Sequence, residues 1–342
     1  MDFAHFTAGS DDAGRRLDRV LRRFLSEEHL SSIYKSLRKG LVKVDGKKCE
    51  GNFRVSEGSD IQIADFLLGK AAARSCDEAP VISSEVEKSF LPHDLIIFKN
   101  DAILILNKPY DIPVQPSASS QGNSLAELVQ AEYELTHKNN SLSFKTGPLH
   151  RLDRKTTGLI AFSQNLEGAQ WFSEAIKTHA IQKVYLTILE GKLTEKQVWE
   201  ERIEKIENEK LNSQKGKFHT VSVNSDGENG KIAHTEVEAL SHGVFLGKDV
   251  TLARVLIKTG RTHQIRSQSA FHGFPLLGDT AYGGTKIGSK LFGQDFFLHA
   301  TELHFPSDNP LGLPETLTAQ IPAPFGKILE NCGMRRLFNS NN

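Results

Sequence analysis

Cysteine is scarce in this sequence, with three residues among 342, and they stand far apart at positions 49, 76 and 332. A scattered, odd-numbered set does not favour a disulfide framework or a cysteine-based zinc site, and it favours a reducing compartment. No apolar run approaches the roughly 18 residues of a membrane span. The first fourteen residues, MDFAHFTAGSDDAG, lack a basic stretch followed by an apolar one, so they do not predict a secretory signal. We therefore expect a cytoplasmic protein.

An excess of charge of either sign is also absent, because 42 Lys and Arg balance 42 Asp and Glu. The total therefore points to neither nucleic acid nor membrane as a partner. One region departs from this balance: residues 15–54 hold 12 basic and 5 acidic residues. A length of 342 residues favours two domains, since one domain takes roughly 100–200 residues.

The basic region reads as a small folded unit. Leu17, Val20, Leu21, Phe24 and Leu25 recur at three- and four-residue spacings, which predicts an amphipathic helix. A second helix is predicted from a cap at residue 31 or 32, both serine, to a glycine at residue 40. Residues 41–44, an Asp-Gly turn and residues 60–63 predict short strands.

The basic side chains of this unit admit two interpretations. A run of charge is most often a solvated surface. Here the charges fall on both predicted helices around one Gly-Leu-Val turn, which favours a surface that faces RNA. The candidate RNA-binding residues of this unit are Arg15, Arg16, Arg19, Lys35, Arg38 and Lys39.

A linker and a larger domain follow. Residues 69–92 lose the apolar period and predict a linker. From residue 95 short apolar strands outnumber helices and often follow one another directly, so we expect an α+β domain with a mainly antiparallel or mixed sheet. Its first two strands, 95–98 and 103–106, are predicted to form a well-buried hairpin, and the charged segment 194–217 to be an exposed excursion.

Three residues of the larger domain stand in segments that could carry chemistry, and each has a structural alternative. Asp153 lies in the polar turn HRLDRKTTG before a predicted strand, where it either acts chemically or only accepts backbone hydrogen bonds. Arg266 in GRTHQIR is a functional arginine or a surface one. Tyr185 in KVYL is a binding residue or a core aromatic.

The sequence lacks the motifs of several other catalytic or nucleotide-binding sites. The phosphate-binding loop of nucleotide hydrolases, the dinucleotide-binding glycine pattern and the serine nucleophile elbow do not occur. His263 and His272 are nine residues apart without a nearby carboxylate pair, which does not favour zinc. We expect neither a cofactor nor a metal. Asp279 and Asp153 have no feature in the sequence that would pair them as glycosidase carboxylates.

Two resemblances join these segments. The pattern RLDRVLRRFL, SSIYKSLRKGLVKVDGKK and GSDIQI resembles the alpha-L RNA-binding module of ribosomal protein S-four. The ordered set NKPYDIPVQP, HRLDRKTTGL, KVYL and KTGRTHQIRSQSAFHGFPLLGDTAYGG resembles the RluA-type RNA pseudouridine synthases, as does the later FFLHATELHFP. Among members of that family, the phrase SSIYKSLRKGLVKVDGKK is most similar to the RluC-like branch, which acts on large-subunit ribosomal RNA.

The resemblance implies an enzyme that isomerises uridine to pseudouridine in RNA, without a cofactor. It implies that Asp153 is the catalytic carboxylate, Tyr185 the pocket tyrosine and Arg266 the arginine that pairs with Asp153. Arg151 is implied to fill the gap that the flipped-out base leaves. The carboxylate either attacks a sugar carbon or removes a sugar proton. A guanidinium would support both roles and fix the carboxylate's direction.

The domains expected from the sequence are an alpha-L RNA-binding domain at 1–68, a linker at 69–92 and a catalytic domain at 93–335. The expected partner is RNA, with no membrane and no obligate protein partner. Two other functions stay open at this point. One is the same reaction on transfer RNA, and the other is a non-catalytic RNA-binding or ribosome-assembly protein that keeps the fold.

Overall fold

The computed structural model describes every residue except 1, 23–24, 26–28, 69–90, 117–123, 138–140, 208–218, 225–229, 288–291 and 335–342. The chain divides into two compact units. The first unit comprises Met1–Leu91, Leu128–Gly147 and Gln164–Glu167, and the second comprises Pro92–Glu127, Pro148–Ser163 and Gly168–Asn342. The predicted linker falls almost entirely on residues 69–90 and therefore lies outside the described part of the chain.

The first unit contains a four-stranded antiparallel sheet and two helices. Its elements are β1 (Phe3–Thr7), α1 (Leu17–Leu21), α2 (Leu30–Arg38), β2 (Val42–Val44), β3 (Lys47–Lys48) and β4 (Asp60–Ala64). The strands lie in the order β1-β4-β2-β3. Asp45 and Gly46 both have positive φ angles, 50° and 75°, which is the backbone of the tight turn between β2 and β3. Apolar residues of both helices and the sheet form one buried cluster.

Three details of the first unit differ from the sequence prediction. Strand β1 was not predicted. Helix α1 ends at Leu21, and Phe24 lies outside the described residues. Helix α2 is preceded by His29 as its cap, because the amides of Ser32 and Ile33 already bond to the His29 carbonyl; a cap at residue 31 or 32 is therefore wrong. The predicted end of α2 at Gly40 is confirmed by the φ angle of 72° there.

The second unit is built on a ten-stranded sheet. Its strands are β5 (Ile96–Lys99), β6 (Ile103–Lys108), β7 (Thr157–Ser163), β8 (Gln182–Glu190), β9 (Gln197–Glu207), β10 (His219–Asn224), β11 (Lys231–Phe245), β12 (Lys248–Ile257), β13 (Leu298–His304) and β14 (Thr316–Thr318). The order is β10-β9-β11-β12-β8-β13-β7-β6-β5, and β14 pairs with β13. The helices of the larger part of the chain are α3 (Leu125–Thr136), α4 (Leu166–Lys177), α5 (Gln264–Phe271) and α6 (Ala323–Asn331).

The sheet of the second unit is mixed, as predicted. Strand β13 runs parallel to β7, and the other pairings among the described strands are antiparallel. Strand β7 is buried along its whole length, which matches its continuous apolar run. Gly158 is required where β7 meets β13, because its φ is 105° and a Cβ would lie 2.2 Å from the Ala300 carbonyl oxygen.

Two predictions for the second unit were wrong in part. The segment 194–217 is not simply an exposed excursion, because β9 joins the sheet and Trp199 is 1% exposed. Strand β5 is only half-buried, since it is the last strand of the sheet and has a neighbour on one side. Within the described residues, no helix is both long and apolar enough to cross a membrane.

Candidate active site

A cleft of about 490 Å³ opens in the second unit. Its walls come from the loop 149–156, strand β8, the residues after β12 and the first turn of α5. Six of its described lining residues are Lys or Arg, and one, Asp153, is acidic. This charge distribution suits a polyanion whose reacting group meets a single carboxylate.

Asp153 lies in the loop that leads into β7. The amide of Thr156 donates to the Asp153 carbonyl at 3.0 Å, which closes a turn, and the carboxylate side chain is 17% exposed. The next carbonyl, that of Arg154, accepts a 2.8 Å hydrogen bond from Lys108 Nζ. Lys108 therefore ties the loop that carries Asp153 to its own segment.

Lys108 is fully buried, and its ammonium group hydrogen-bonds to carbonyl oxygens of both its own segment and the loop of Asp153. Its ammonium also donates to the carbonyl oxygens of Pro109 at 2.9 Å and Ile112 at 2.8 Å. Burial lowers the pKa of Lys108 to about 7, and Asp153 opposes that shift. Lys108 thereby holds the segment NKPYDIPVQP together and against the loop that carries Asp153.

Arg266 connects two carboxylates. Its Nη1 lies 3.4 Å from Asp153 Oδ2, so the predicted contact with Asp153 is present. Its stronger partner is Asp279, to which Nε donates at 2.6 Å and Nη2 at 2.9 Å. The guanidinium also lies over the rings of Tyr282 at 5.0 Å and Phe296 at 4.6 Å. Burial opposes its charge, but Asp279 and then Asp153 outweigh burial and raise the pKa of Arg266.

The two-point contact with Asp279 fixes the plane of the Arg266 guanidinium, because a forked donor matches a carboxylate edge. Asp279 is 2% exposed and lies 13 residues beyond Arg266. The sequence had no feature that paired Asp279 with Asp153, and the structure brings both onto one arginine. Arg266 is 8% exposed, so the interpretation as a surface arginine is wrong.

His263 precedes α5 and also faces Asp153. Its Nε2 lies 3.7 Å from Asp153 Oδ2, and its Nδ1 shares a 2.8 Å hydrogen bond with the Tyr282 hydroxyl. The backbone of His263 is left-handed, with φ 52°, a conformation that is uncommon for residues other than glycine. Burial lowers the pKa of His263, although Asp153 opposes that shift.

Tyr185 is both buried and part of the cleft. It lies on β8 at 5% exposure, and its side chain lines the cleft near Asp153. Burial, followed by the charge of Asp153, raises the pKa of Tyr185, so its phenol is neutral near pH 7. Arg151 lines the same cleft, and its Nη1 donates to Thr262 Oγ1 at 3.2 Å. The structure therefore gathers Asp153, Tyr185, Arg266 and Arg151 around one space.

A comparison with known protein families gives the family of the chain. The sequence pattern of the RNA pseudouridylate synthase family matches residues 102–271, which include Asp153, Tyr185 and Arg266. The chain belongs to the RNA pseudouridylate synthase family. It is an enzyme that isomerises uridine to pseudouridine in RNA, as the resemblance implied.

Relatives of this synthase match it over nearly its whole length. Each is called ribosomal large subunit pseudouridine synthase C. The protein of Escherichia coli K12 is 28% identical over 340 residues, which cover 97% of this chain and 95% of that protein. The protein of Salmonella typhi is 28% identical over 94% of this chain and 93% of its own length. The protein of Rickettsia typhi is 29% identical over 92% of this chain and 96% of its own.

Solved structures agree with the pseudouridine synthase fold. Human RNA pseudouridylate synthase domain containing 4 is 20% identical and superposes with a TM-score of 0.52, over 70% of this chain and 92% of that one. Human RNA pseudouridylate synthase domain containing 1 is 25% identical with a TM-score of 0.50, over 69% and 86% of the two chains.

Sequence reasoning had not assigned roles to four residues of the synthase cleft or its walls: Lys108, Lys183, His263 and Asp279. Lys108, Lys183 and His263 fall inside the family match, whereas Asp279 lies beyond it. His263 lies in the motif GRTHQIR and Asp279 in LLGD, which both belong to the segments that resemble the family. Their place in these motifs was the sequence feature that could have marked them as site residues. Among the described residues, no group of three His, Cys, Asp or Glu is placed to hold a metal ion.

The other six candidate RNA-binding residues of the synthase lie in the first unit and differ in their contacts. Arg15 donates to Ser143 Oγ at 2.8 Å, and Arg16 donates to the Asp18 carboxylate at 2.8 and 3.2 Å. The remaining four are exposed, and the described part of the chain gives them no ion pair: Arg19, Lys35, Arg38 and Lys39. Arg16 and Arg38 also line a second cleft of about 650 Å³ within the first unit.

Proposed function

We propose that this synthase modifies uridines of large-subunit ribosomal RNA and that Asp153 is its catalytic carboxylate. The observation that carries the proposal is the contact of Asp153 with Arg266 inside a basic cleft that Tyr185 also lines. The ribosomal substrate rests on relatives with that name that are 28–29% identical over nearly the whole chain.

The geometry of Asp153 fits an attacking or proton-removing carboxylate. Its described contacts, with Arg266 Nη1 and His263 Nε2, all use the oxygen Oδ2. Oδ1 is thereby left to act on the sugar of a bound nucleotide. In this proposal Arg266 is a positioning residue for Asp153, and Asp279 holds Arg266 in turn.

Tyr185 and Arg151 fit the handling of a displaced base. A uridine that reacts at C5 must leave its stack, at a cost of a few kcal/mol, and an aromatic wall gives it a replacement surface. We assign that wall to Tyr185. Arg151 has a planar guanidinium at the same cleft, and we assign it to the gap in the RNA that the base leaves.

We assign residues 1–68 to an alpha-L RNA-binding domain, residues 93–335 to the catalytic domain and residues 69–92 to the connection between them. Support comes from two helices and a small sheet in the first unit and from four exposed basic side chains on it: Arg19, Lys35, Arg38 and Lys39. These residues fit phosphate contacts, which position RNA without reading its sequence. A ribosomal substrate also fits the cytoplasmic location that the cysteine content favours.

The test is a reconstituted reaction. Purified protein is incubated with an unmodified transcript of large-subunit ribosomal RNA and, separately, with transfer RNA transcripts. Tritium release from 5-tritiated uridine measures turnover, and carbodiimide primer extension locates each pseudouridine. We expect modification of a few uridines in the ribosomal transcript and none with Asp153→Asn.

Two outcomes would replace the proposal. Modification of transfer RNA alone would move the substrate to that class while leaving the roles of the cleft residues in place. RNA binding without tritium release from any transcript would indicate a non-catalytic RNA-binding protein.

A further inference from the structure

Lys183 is a buried lysine that faces the active-site cleft. It lies on β8 two residues before Tyr185, so both side chains leave the same face of the strand. Lys183 is 6% exposed and lines the cleft. Its Nζ lies beside Gly260, where a Cβ would approach the ammonium to 3.9 Å. The ammonium group is thus held at the wall of the cleft close to the tyrosine.

Lys183 differs from the other described cations of the cleft, because each of those has an ion pair or a hydrogen bond. Arg151 donates to Thr262 Oγ1, and Arg261 donates to the Ile232 carbonyl oxygen. Lys258 pairs with Glu236 at 3.1 Å, Lys177 pairs with Glu174 at 3.2 Å, and Arg266 pairs with Asp279. Throughout the described part of the chain, Lys183 Nζ has neither an ion pair nor a hydrogen bond. Among the described residues that line the cleft, Asp153 is the one carboxylate, and it is already in contact with Arg266 and His263.

An ammonium on a side chain that is only 6% exposed, with no partner among the described residues, is unfavourable because burial disfavours the charged form. Burial lowers the pKa of Lys183 to about 8. A ligand that brings a negative charge to Nζ would remove this penalty. The ligand that the proposed function puts into the cleft is RNA, and its negative charges are the backbone phosphates. The uracil ring offers neutral carbonyl oxygens instead, which would not neutralise the ammonium.

We infer that Lys183 binds a backbone phosphate of the nucleotide that enters the cleft. This inference rests on the proposed function and adds a binding residue to it. The phosphate is joined to the ribose, so an anchor beside Tyr185 would fix the sugar with respect to Asp153. Lys183 is in this sense a positioning residue, and the RNA contact completes a charge pair that the folded protein leaves open.

The first experiment measures the salt dependence of RNA affinity with the unmodified large-subunit transcript as probe. Lys183→Met keeps the length of the side chain and removes the charge, while Lys183→Arg keeps the charge. We expect the slope of log affinity against log salt concentration to become shallower by about 0.7–0.9 in Lys183→Met, which corresponds to one phosphate contact. Lys183→Arg should keep the wild-type slope. Lys192→Met is the matched control, because Lys192 is exposed just beyond the other end of β8.

The second experiment measures affinity between pH 7 and pH 9 at constant ionic strength. Lys183 loses its proton through about pH 8 in the free protein, so wild-type affinity should fall over this interval. Arginine stays protonated, so the fall should be smaller in Lys183→Arg, and it should be smaller in Lys183→Met as well. The other titratable or charged groups of the cleft are His150, Arg151, Asp153, Lys177, His179, Tyr185, Lys258, Arg261, His263 and Arg266. They are unchanged in both variants, so a difference from wild type reports Lys183.

The outcomes separate this inference from the proposed function. If the wild-type protein forms no pseudouridine in any transcript, the proposed function fails. If the wild-type protein is active but Lys183→Met matches it in salt slope and pH response, the phosphate contact is overturned. If Lys183→Met does not fold, Lys183→Arg decides, and a pH response equal to that of wild type then overturns the inference.

Discussion

Arg266 in the second unit and Arg16 in the first each contact a carboxylate through two nitrogens, yet the two clusters differ in reach. Arg16 contacts Asp18, two residues away, at 2.8 and 3.2 Å, and the Tyr34 hydroxyl donates to the same carboxylate at 2.6 Å. Arg266 contacts Asp279, thirteen residues away, and then Asp153, 113 residues away. The Arg16 cluster joins the start of α1 to α2 within the first unit. The Arg266 cluster joins α5 to the loop of Asp153 and to the segment of Asp279.

Burial explains what each cluster does. The Arg16 side chain is 39% exposed, whereas the Arg266 side chain is 10% exposed and Asp279 is 2% exposed. Water screens an exposed pair, so it contributes little to stability. A buried pair is costly to break, because the remaining charge is left without water or partner. The comparison teaches that the residue types alone do not distinguish a partly exposed pair of near neighbours from a buried arginine that joins two carboxylates from distant segments.

The largest effect is expected on turnover, when Asp153, the carboxylate in contact with Arg266, is replaced. Asp153→Asn keeps the shape of the side chain but supplies neither a nucleophile nor a base. We expect turnover to fall by about 10²–10⁴-fold or more, with RNA affinity largely unchanged. Tritium release and a filter-binding titration measure the two properties. Turnover within tenfold of wild type would contradict the assignment of Asp153.

The next effect is expected where the buried cluster is broken. Arg266→Lys replaces the planar fork by one ammonium nitrogen, and Asp279→Asn removes the negative charge that balances Arg266. Asp279→Asn should lower the free energy of unfolding by about 3–5 kcal/mol, because it leaves a buried charge uncompensated, and Arg266→Lys should lower it by less because the charge is kept. Urea denaturation and single-turnover rates at saturating enzyme are the measurements. Unchanged rates together with unchanged stability would mean that this cluster resembles the one at Arg16.

A smaller effect is expected from the exposed cations of the first unit. Changing Arg19, Lys35, Arg38 and Lys39 to Gln together should make the salt slope of RNA affinity shallower by about 0.7 per lost phosphate contact on single strands. The single-turnover rate at saturating enzyme should change far less. These substitutions are cleaner than removal of residues 1–68, because Asp12 accepts hydrogen bonds from the amides of Leu142 and Ser143. Equal salt slopes would indicate a solvated surface.

The smallest effect is expected for Arg16→Gln. Its melting temperature should stay within about 2 °C of wild type, since the pair is partly exposed. Burial acts to raise the pKa of Asp18, but hydrogen bonds from Arg16 and Tyr34 outweigh it and lower that pKa. The pair thus stabilises the fold above the unfolded-state pKa of about 3.9, and this contribution is lost as the pH falls through the lower folded-state value.

Arg16→Gln should therefore weaken the acid sensitivity of the first unit without changing its stability much at pH 7. Thermal melts between pH 2 and pH 7 test this, with Asp18→Asn as the companion variant. A large loss of stability at pH 7 would mean that the Arg16 pair contributes to stability as a buried pair does, and the contrast between the two clusters would be wrong.

Local sequence pattern was sufficient for much of the fold. The period of apolar residues predicted α1, and a short apolar run predicted β6, because these patterns reflect which face of an element is buried. The order of four motifs was also sufficient for the family and its activity. Strand β9 was missed because its inward face carries Glu201 between Trp199 and Ile203, and Glu201 finds its partner in His272 at 2.7 Å. An acidic residue on a buried face looks exposed until its partner is known.

The sequence by itself determined the family, since the motifs that contain Asp153, Tyr185 and Arg266 occur together in a known order. Only the tertiary structure decided that Asp279 is the principal partner of Arg266, that His263 faces Asp153 and that Lys183 has no partner within the described part of the chain. The reason is physical: periodicity is a property of neighbours along the chain. Charge pairing and desolvation depend instead on segments that the ten-stranded sheet brings together across more than a hundred residues.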